Sequence, residues 1–239
     1  MQFFDEYTKK YDLSVEKQNY KYHHSYRVMA NMGKIAKRLG LNDKDIELAK
    51  CIGLLHDIGR FEQIKKYQNF KDNNLGHGDF GADVIKSNNA LKHFKIDEDD
   101  YNVVYKAIKN HNKYQIEDNL TEREMLFAKM IRDADKLDIL YALGEKKYRR
   151  IFIEDDSKIS PKIKESFYKN EMARYSDVIT KNDNTIVIFS YPYDIYFDET
   201  LQILRKKKYY DKIYNRLKNK DMFKEYLDHI EKYIKERVD

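Results

Sequence analysis

Only one cysteine occurs in the 239 residues of this chain, so no internal disulfide can form. Cys51 lies in the apolar run Cys51-Ile52-Gly53-Leu54-Leu55. A thiol there packs as a small hydrophobe, and a reducing compartment is the expectation. A zinc site built on thiolates is disfavoured by the same scarcity. Proline occurs twice and glycine eight times, which leaves few places where a helix must stop and argues against a strand-rich sandwich. No segment approaches the roughly 20 apolar residues that span a bilayer. The start, Met1-Gln2-Phe3-Phe4-Asp5-Glu6, has neither a basic opening nor an apolar stretch of signal length. Neither a fixed-period repeat nor a low-complexity segment is present. A soluble, cytoplasmic protein without a membrane partner is expected.

Excess charge is also scarce. The balance of 46 basic and 41 acidic residues gives +5. That helps to attract a phosphate-bearing ligand but is too weak to argue for nucleic acid. The basic runs Lys146-Lys147-Tyr148-Arg149-Arg150 and Arg205-Lys206-Lys207-Lys208-Tyr209-Tyr210 read better as solvated helix ends than as a single-strand platform. What the chain does have is 41% apolar and 36% charged residues, enough to bury a core and stay soluble.

Helical periodicity runs through most of the sequence. Val28, Met29, Met32, Ile35, Ala36 and Leu39 stripe a helix expected over 22–39, which Gly40 ends. Asn42 and Asp45 open a second helix, carrying Ile46, Ala49, Ile52 and Leu55 and ending near Asp57. After the polar stretch 68–74 comes a shorter helix with Phe80, Gly81, Val84 and Ile85. A fourth is expected over 97–111 with Val104, Ala107 and Ile108. Thr121 and Glu124 form a capping box before a fifth, with Leu126, Phe127, Met130, Ile131, Ala134 and Leu137 inward.

Beyond Gly144 the stretch 146–161 is charged and irregular. The expected organisation is therefore an all-α fold, with a core over 1–145 and a mostly helical extension over 146–239 packing on it. Thr185-Ile186-Val187-Ile188-Phe189 suits a strand or a buried helical turn, and the lack of a partner strand favours helix. Residues 222–238 read as a charged amphipathic helix.

The histidines carry the chemistry. Only seven occur, and several fall on apolar stripes: His24 before Val28, Met32 and Ile35; His56 after Ala49 and Ile52; His77 before Phe80, Gly81, Val84 and Ile85; His111 after Val104, Ala107 and Ile108. Burying one imidazole is ordinary. Burying a carboxylate costs several kcal/mol unless it is paired or bound to a metal. Asp57 and an aspartate of the fifth helix, Asp133 or Asp135, would enter the same interior as four imidazoles. A divalent ion would satisfy them together, and this donor set suits Mn, Fe, Co, Ni or Zn.

His24-Ser25-Tyr26-Arg27-Val28, then His56-Asp57-Ile58-Gly59, then Ile131-Arg132-Asp133-Ala134-Asp135-Lys136-Leu137-Asp138 resemble the H…HD…D signature of the HD superfamily, the second block in its HDIG form. The resemblance covers about residues 20–144. It implies an all-helical metal-binding domain and hydrolysis of phosphate esters or anhydrides, commonly in nucleotides. It favours His24 over His23 as first ligand, with His56 and Asp57 next. It also favours Asp135 over Asp133, because the family's aspartate typically stands before a basic residue.

The order His24, His56-Asp57, His77, His111, Asp135 further resembles branches that add two histidines and hold a second metal, with the aspartate of the HD pair bridging both ions. HD-GYP cyclic-dinucleotide phosphodiesterases are among them, but the GYP signature is not evident here. One ion, with His77 and His111 lining the pocket, and two ions both stay open.

A metal ion lowers the pKa of bound water from 15.7 to about 7, supplying hydroxide near neutrality. Asp57 and His56 are the expected catalytic residues. Lys136, Arg60 and Arg27 are candidates by position for holding a small phosphorylated substrate, a nucleotide above others. A di-iron oxygenase of the same superfamily and a non-catalytic nucleotide-binding module are the rival readings. A homo-oligomer is left open.

Overall fold

Helices carry the described structure, and no strand occurs among the described residues. The computed structural model describes residues 1–70, 76–145 and 155–239. They fall into two units, Met1–Asp135 and Lys136–Asp239.

The first unit contains α1 (Gln2–Thr8), α2 (Glu16–Arg38), α3 (Asp43–Leu55), α4 (Ile58–Tyr67), α5 (His77–Ser87), α6 (Tyr101–Asn110) and the start of α7 (Glu122–Gly144). α2 and α3 form an antiparallel hairpin. Gly40 turns it at φ +72°, a left-handed conformation that glycine adopts without a Cβ penalty. The Asn42 side chain then accepts from Asp45 N at 3.0 Å and caps α3. Val28, Met32, Ile35 and Ala36 of α2 and Ala49, Ile52 and Leu55 of α3 are fully buried. Each larger one contributes about 1.5–3 kcal/mol of transfer free energy.

The capping box at the head of α7 forms in both directions. Thr121 N donates to Glu124 Oε2 at 2.8 Å, and Glu124 N donates to Thr121 Oγ1 at 3.2 Å. Arg123 ties the same end to Asp45 (2.6 Å) and Asp100 (2.9 Å).

Several boundaries differ from expectation. α2 starts at Glu16 rather than near Tyr22. The inward positions of its added turns are Gln18 and Lys21, polar residues that leave no apolar stripe to read. α1 and α4 are additional helices. Residues 98–100 form a separate 3-10 turn before α6. The irregular stretch expected over 146–161 and the first basic run lie largely outside the described residues, as do 71–74 of the polar stretch.

The second unit contains the rest of α7 and α8 (Pro161–Tyr168), α9 (Asp183–Phe189), α10 (Asp198–Lys207), α11 (Tyr209–Tyr214) and α12 (Lys220–Val238). The β-branched run 185–189 is helical, within α9. Aromatic rings fill this unit: Phe167 packs on Tyr193 (5.4 Å) and Tyr226 (5.1 Å), and Phe189 on Tyr210 (5.5 Å). Phe223, Tyr226, Leu227, Ile230 and Ile234 form the buried face of α12. No described helix is long and apolar enough to cross a membrane.

Candidate metal centre

Each histidine of interest sits where a helix begins, ends or faces the core of the first unit. His24 is inside α2, His56 caps the C-terminus of α3, His77 opens α5 and His111 caps α6. Asp57 follows His56 and is the N-cap residue of α4. His56 Nδ1 lies 2.8 Å from Gly53 O, and His111 Nδ1 lies 2.6 Å from Ile108 O. A carbonyl only accepts, so in each ring Nδ1–H donates. In the neutral form that leaves Nε2 with its lone pair turned to the interior. His77 Nδ1 is 3.1 Å from the Asn112 side-chain amide. These four imidazoles and Asp57 are at most 5% exposed.

The ring nitrogens converge in two pairs. His24 Nε2 lies 3.2 Å from His56 Nε2, and His77 Nε2 lies 3.0 Å from His111 Nε2. Two lone pairs at that distance need a proton or a cation between them. Asp57 addresses both pairs, one with each oxygen. Oδ2 lies 3.3 Å from His24 Nε2 and 3.4 Å from His56 Nε2. Oδ1 lies 3.5 Å from His77 Nε2 and 3.6 Å from His111 Nε2. Asp135 Oδ1 joins the first pair, 3.1 Å from His24 and 3.8 Å from His56.

These spacings suit a metal. Ligand bonds of roughly 2.0–2.2 Å put neighbouring ligands about 3.0–3.5 Å apart. Asp57 Oδ1 and Asp135 Oδ1 are moreover buried oxygens for which no hydrogen-bond donor is found among the described residues. A buried acceptor left so costs about 1–3 kcal/mol, and more when charged. The residues therefore fit a divalent ion, and His24, His56 and Asp135 form one group able to hold it.

The family model of the HD domain matches residues 22–140. The chain is an HD-domain protein. All six candidate donors lie inside the matched stretch, and a His/Asp group that could hold a metal accords with an HD domain, since this superfamily is one of metal-dependent hydrolases. No curated protein and no solved structure matches the chain.

Electrostatics inside the HD domain is one-sided. Burial opposes the Asp57 charge, but Lys21, His56, His111 and His24 outweigh it and hold the carboxyl well below its usual range. Burial likewise opposes the Asp135 charge, and His24 and His56 outweigh it. Burial also disfavours the His56 imidazolium, yet Asp57 and Asp135 reverse this and push the ring up to about 9. An ion entering this HD domain therefore displaces a proton.

His23 is exposed on α2, whereas His24 is fully buried. Asp133 is fully buried on α7 but is not among the groups of donors close enough to share an ion. Arg60 Nε is 3.7 Å from Asp57 Oδ1, and its Nη1 donates to Phe70 O at 2.9 Å. The Arg27 guanidinium stands 5.8 Å from the Tyr20 ring centre. Lys136 forms an ion pair with Asp194 at 2.6 Å, within the second unit.

Three residues escaped the sequence reading. Lys21 donates to Asp57 Oδ2. It lies one residue before the matched stretch, on turns of α2 that carry no apolar stripe. Arg132 donates to Asn110 O and Tyr114 O, both at 3.2 Å, fastening the backbone around His111. Asn112 meets His77. The Lys21 signal was present: it stands three residues before His24, one turn away on the same helix.

Proposed function

We propose that this HD-domain protein is a phosphohydrolase that cleaves a phosphate ester or anhydride in a nucleotide or related small molecule. The observation that carries the reading is the carboxylate of Asp57. It faces one histidine pair with each oxygen while two cations, Lys21 and Arg60, approach it from the protein. Buried donors for divalent metal thus stand beside positive side chains suited to phosphoryl oxygens.

In this reading His24, His56, Asp135 and Asp57 Oδ2 would hold one ion, and His77, His111 and Asp57 Oδ1 a second. Bound ions of the Mn, Fe, Co, Ni or Zn class supply Lewis acidity, which makes water acidic near neutrality and offsets phosphoryl charge. The side chains do the rest. Asp57 fixes the spacing of the two donor sets. Lys21 and Arg60 exchange a protein carboxylate for the substrate's phosphoryl oxygens, which keeps that charge neutralised away from bulk water. The Tyr20 ring stacks on His24 at 5.7 Å, and Arg27 stands beside that ring.

The test is metal analysis joined to product analysis. Protein stripped with chelator and reloaded with each metal should bind two ions per chain and release inorganic phosphate from nucleotides or p-nitrophenyl phosphate. His77→Ala or His111→Ala should lower the metal count to one, and Asp57→Ala should reduce phosphate release to background. Oxygen consumption without phosphate release would replace the reading with a di-iron oxygenase. Tight nucleotide binding without turnover by any metal form would leave a binding module.

A further inference from the structure

We infer that Asn112 is a positioning residue for the second ion: its side-chain amide selects which nitrogen of His77 carries the proton, and so whether His77 can act as a ligand. The inference rests on the two-ion arrangement of the phosphohydrolase reading.

The directions of three hydrogen bonds follow from one carbonyl. His111 Nδ1 lies 2.6 Å from Ile108 O, which only accepts, so Nδ1 holds that ring's proton and Nε2 its lone pair. His77 Nε2 lies 3.0 Å from His111 Nε2. With both rings neutral, this contact is a hydrogen bond when His77 Nε2 carries the proton and donates. His77 Nδ1 is then an acceptor, and it meets a donor, Asn112 Nδ2, at 3.1 Å. The chain from Asn112 through His77 and His111 to Ile108 O is complete, and each bond polarises the next.

The same chain accounts for the bare oxygen of Asp57. His77 Nε2 and His111 Nε2 stand 3.5 and 3.6 Å from Asp57 Oδ1, yet this oxygen has no hydrogen-bond donor among the described residues. The imidazole protons are directed elsewhere, one to His111 and one to Ile108 O.

A ligand role for both rings requires a lone pair on each Nε2. His111 already offers one. His77 offers one when its proton moves, one proton leaving Nε2 and one binding Nδ1, with the ring neutral before and after. Nδ1–H then needs an acceptor where Asn112 Nδ2 stands. A half-turn of the amide brings Oδ1 there, because the two ends of a carboxamide are opposite in kind and nearly equal in size. The surroundings allow the turn. Asn112 is exposed, and Gly78 leaves room beside it, since a Cβ on residue 78 would lie 2.5 Å from Asn112 Oδ1. His56 and His111 have no such choice, because a backbone carbonyl holds each Nδ1–H.

The test reads tautomers and bound ions instead of turnover. Nitrogen NMR of histidine-labelled protein, with the His77 signals assigned by their loss in His77→Ala, should place the proton on Nε2 in the metal-free protein and on Nδ1 after loading with Zn²⁺. In calorimetric titration with Zn²⁺, Asn112→Leu should weaken the second ion about tenfold, the usual effect of losing a ligand's outer partner. The first ion should bind as before, which also reports that the variant is folded. Asn112→Asp, an acceptor in either orientation, should put a proton on His77 Nδ1 without metal and restore the affinity for the second ion. A role in packing alone would separate neither the two ions nor the two variants.

A proton on His77 Nδ1 in the unaltered metal-free protein would overturn the inference. So would a second ion held equally well by Asn112→Leu, and both results leave the phosphohydrolase reading intact. One ion per unaltered chain, with the count unchanged in His77→Ala, would remove the second site and the inference with it. Phosphate release by that one-ion protein would then show that the hydrolase reading survives, and its absence that the reading fails too.

Discussion

Two buried aspartates in this chain meet the same physical problem in opposite ways. Asp183 is satisfied by the protein alone: it accepts from Ser160 N at 2.8 Å, Ser160 Oγ at 2.6 Å, and the backbone N–H groups of Ile179 and Thr180, each at 2.9 Å. Asp57 has one oxygen without a hydrogen-bond donor among the described residues, and imidazole nitrogens turned toward it. The first arrangement is complete within the protein, and the second suits a cation. Burial opposes the Asp183 charge, but these hydrogen bonds outweigh it and hold the carboxyl below its ordinary 3.8. A lowered folded-state pKa means that the stabilisation is present above the unfolded value and is lost as pH falls below it. Asp183→Asn should thus cost about 3 kcal/mol near neutrality, because the carboxylate charge is lost and an NH₂ faces backbone N–H groups that only donate. The gap to the unaltered protein should narrow on acidification below 3.8. Urea denaturation across that range measures both. A constant gap, or one under about 1 kcal/mol, would refute a role for the charge.

At the scale of elements, Gly59 explains why a glycine follows the His-Asp pair. A Cβ there would lie 2.7 Å from His77 O and 2.9 Å from Gly81 N, both backbone atoms of α5 that cannot step aside alone. The bare backbone lets α5 lie against α4 and brings His77 to Asp57. Gly59→Ala should push α5 away, destabilise by about 1–3 kcal/mol, and lower the metal count from two to one while the His24 group keeps its ion. Elemental analysis of the variant settles this, and two retained ions would contradict it. The same elements show what could be read in advance. The imidazoles were legible because they lie on apolar stripes, and the head of α7 because its capping box is a local pattern. The first turns of α2 were not legible, since their inward side chains, Gln18 and Lys21, meet a backbone carbonyl and a carboxylate instead of a hydrophobic core. α4 was missed for a different reason: His56 and Asp57 interrupt one apolar run and conceal that two helices meet there. A sequence pattern reports which side chains avoid water, and those that serve a ligand leave no such trace.

Across the whole molecule, the proposed ligands stand far apart in sequence, from His24 to Asp135, and come from α2, the junction of α3 and α4, α5, the end of α6, and α7. An ion bound to them ties these elements together at separations that the unfolded chain would hold only at large entropic cost. Binding to the native state alone stabilises by mass action, about 4 kcal/mol when free metal exceeds Kd a thousandfold. All six donors belong to the first unit, Met1–Asp135, and none to the second. The effect should therefore be regional. Amide hydrogen exchange, compared in chelator and in saturating metal, should slow most in α2, α3, α5 and α6. Exchange in α9 and α12, which carry no ligand, should change least, because openings confined to the second unit leave the donors in place. Equal slowing in α12 and α3 would mean that the units open only together, and the regional prediction would fail. Unchanged exchange throughout, in protein shown to have bound the metal, would mean that the ion occupies a site other than the one these six donors form.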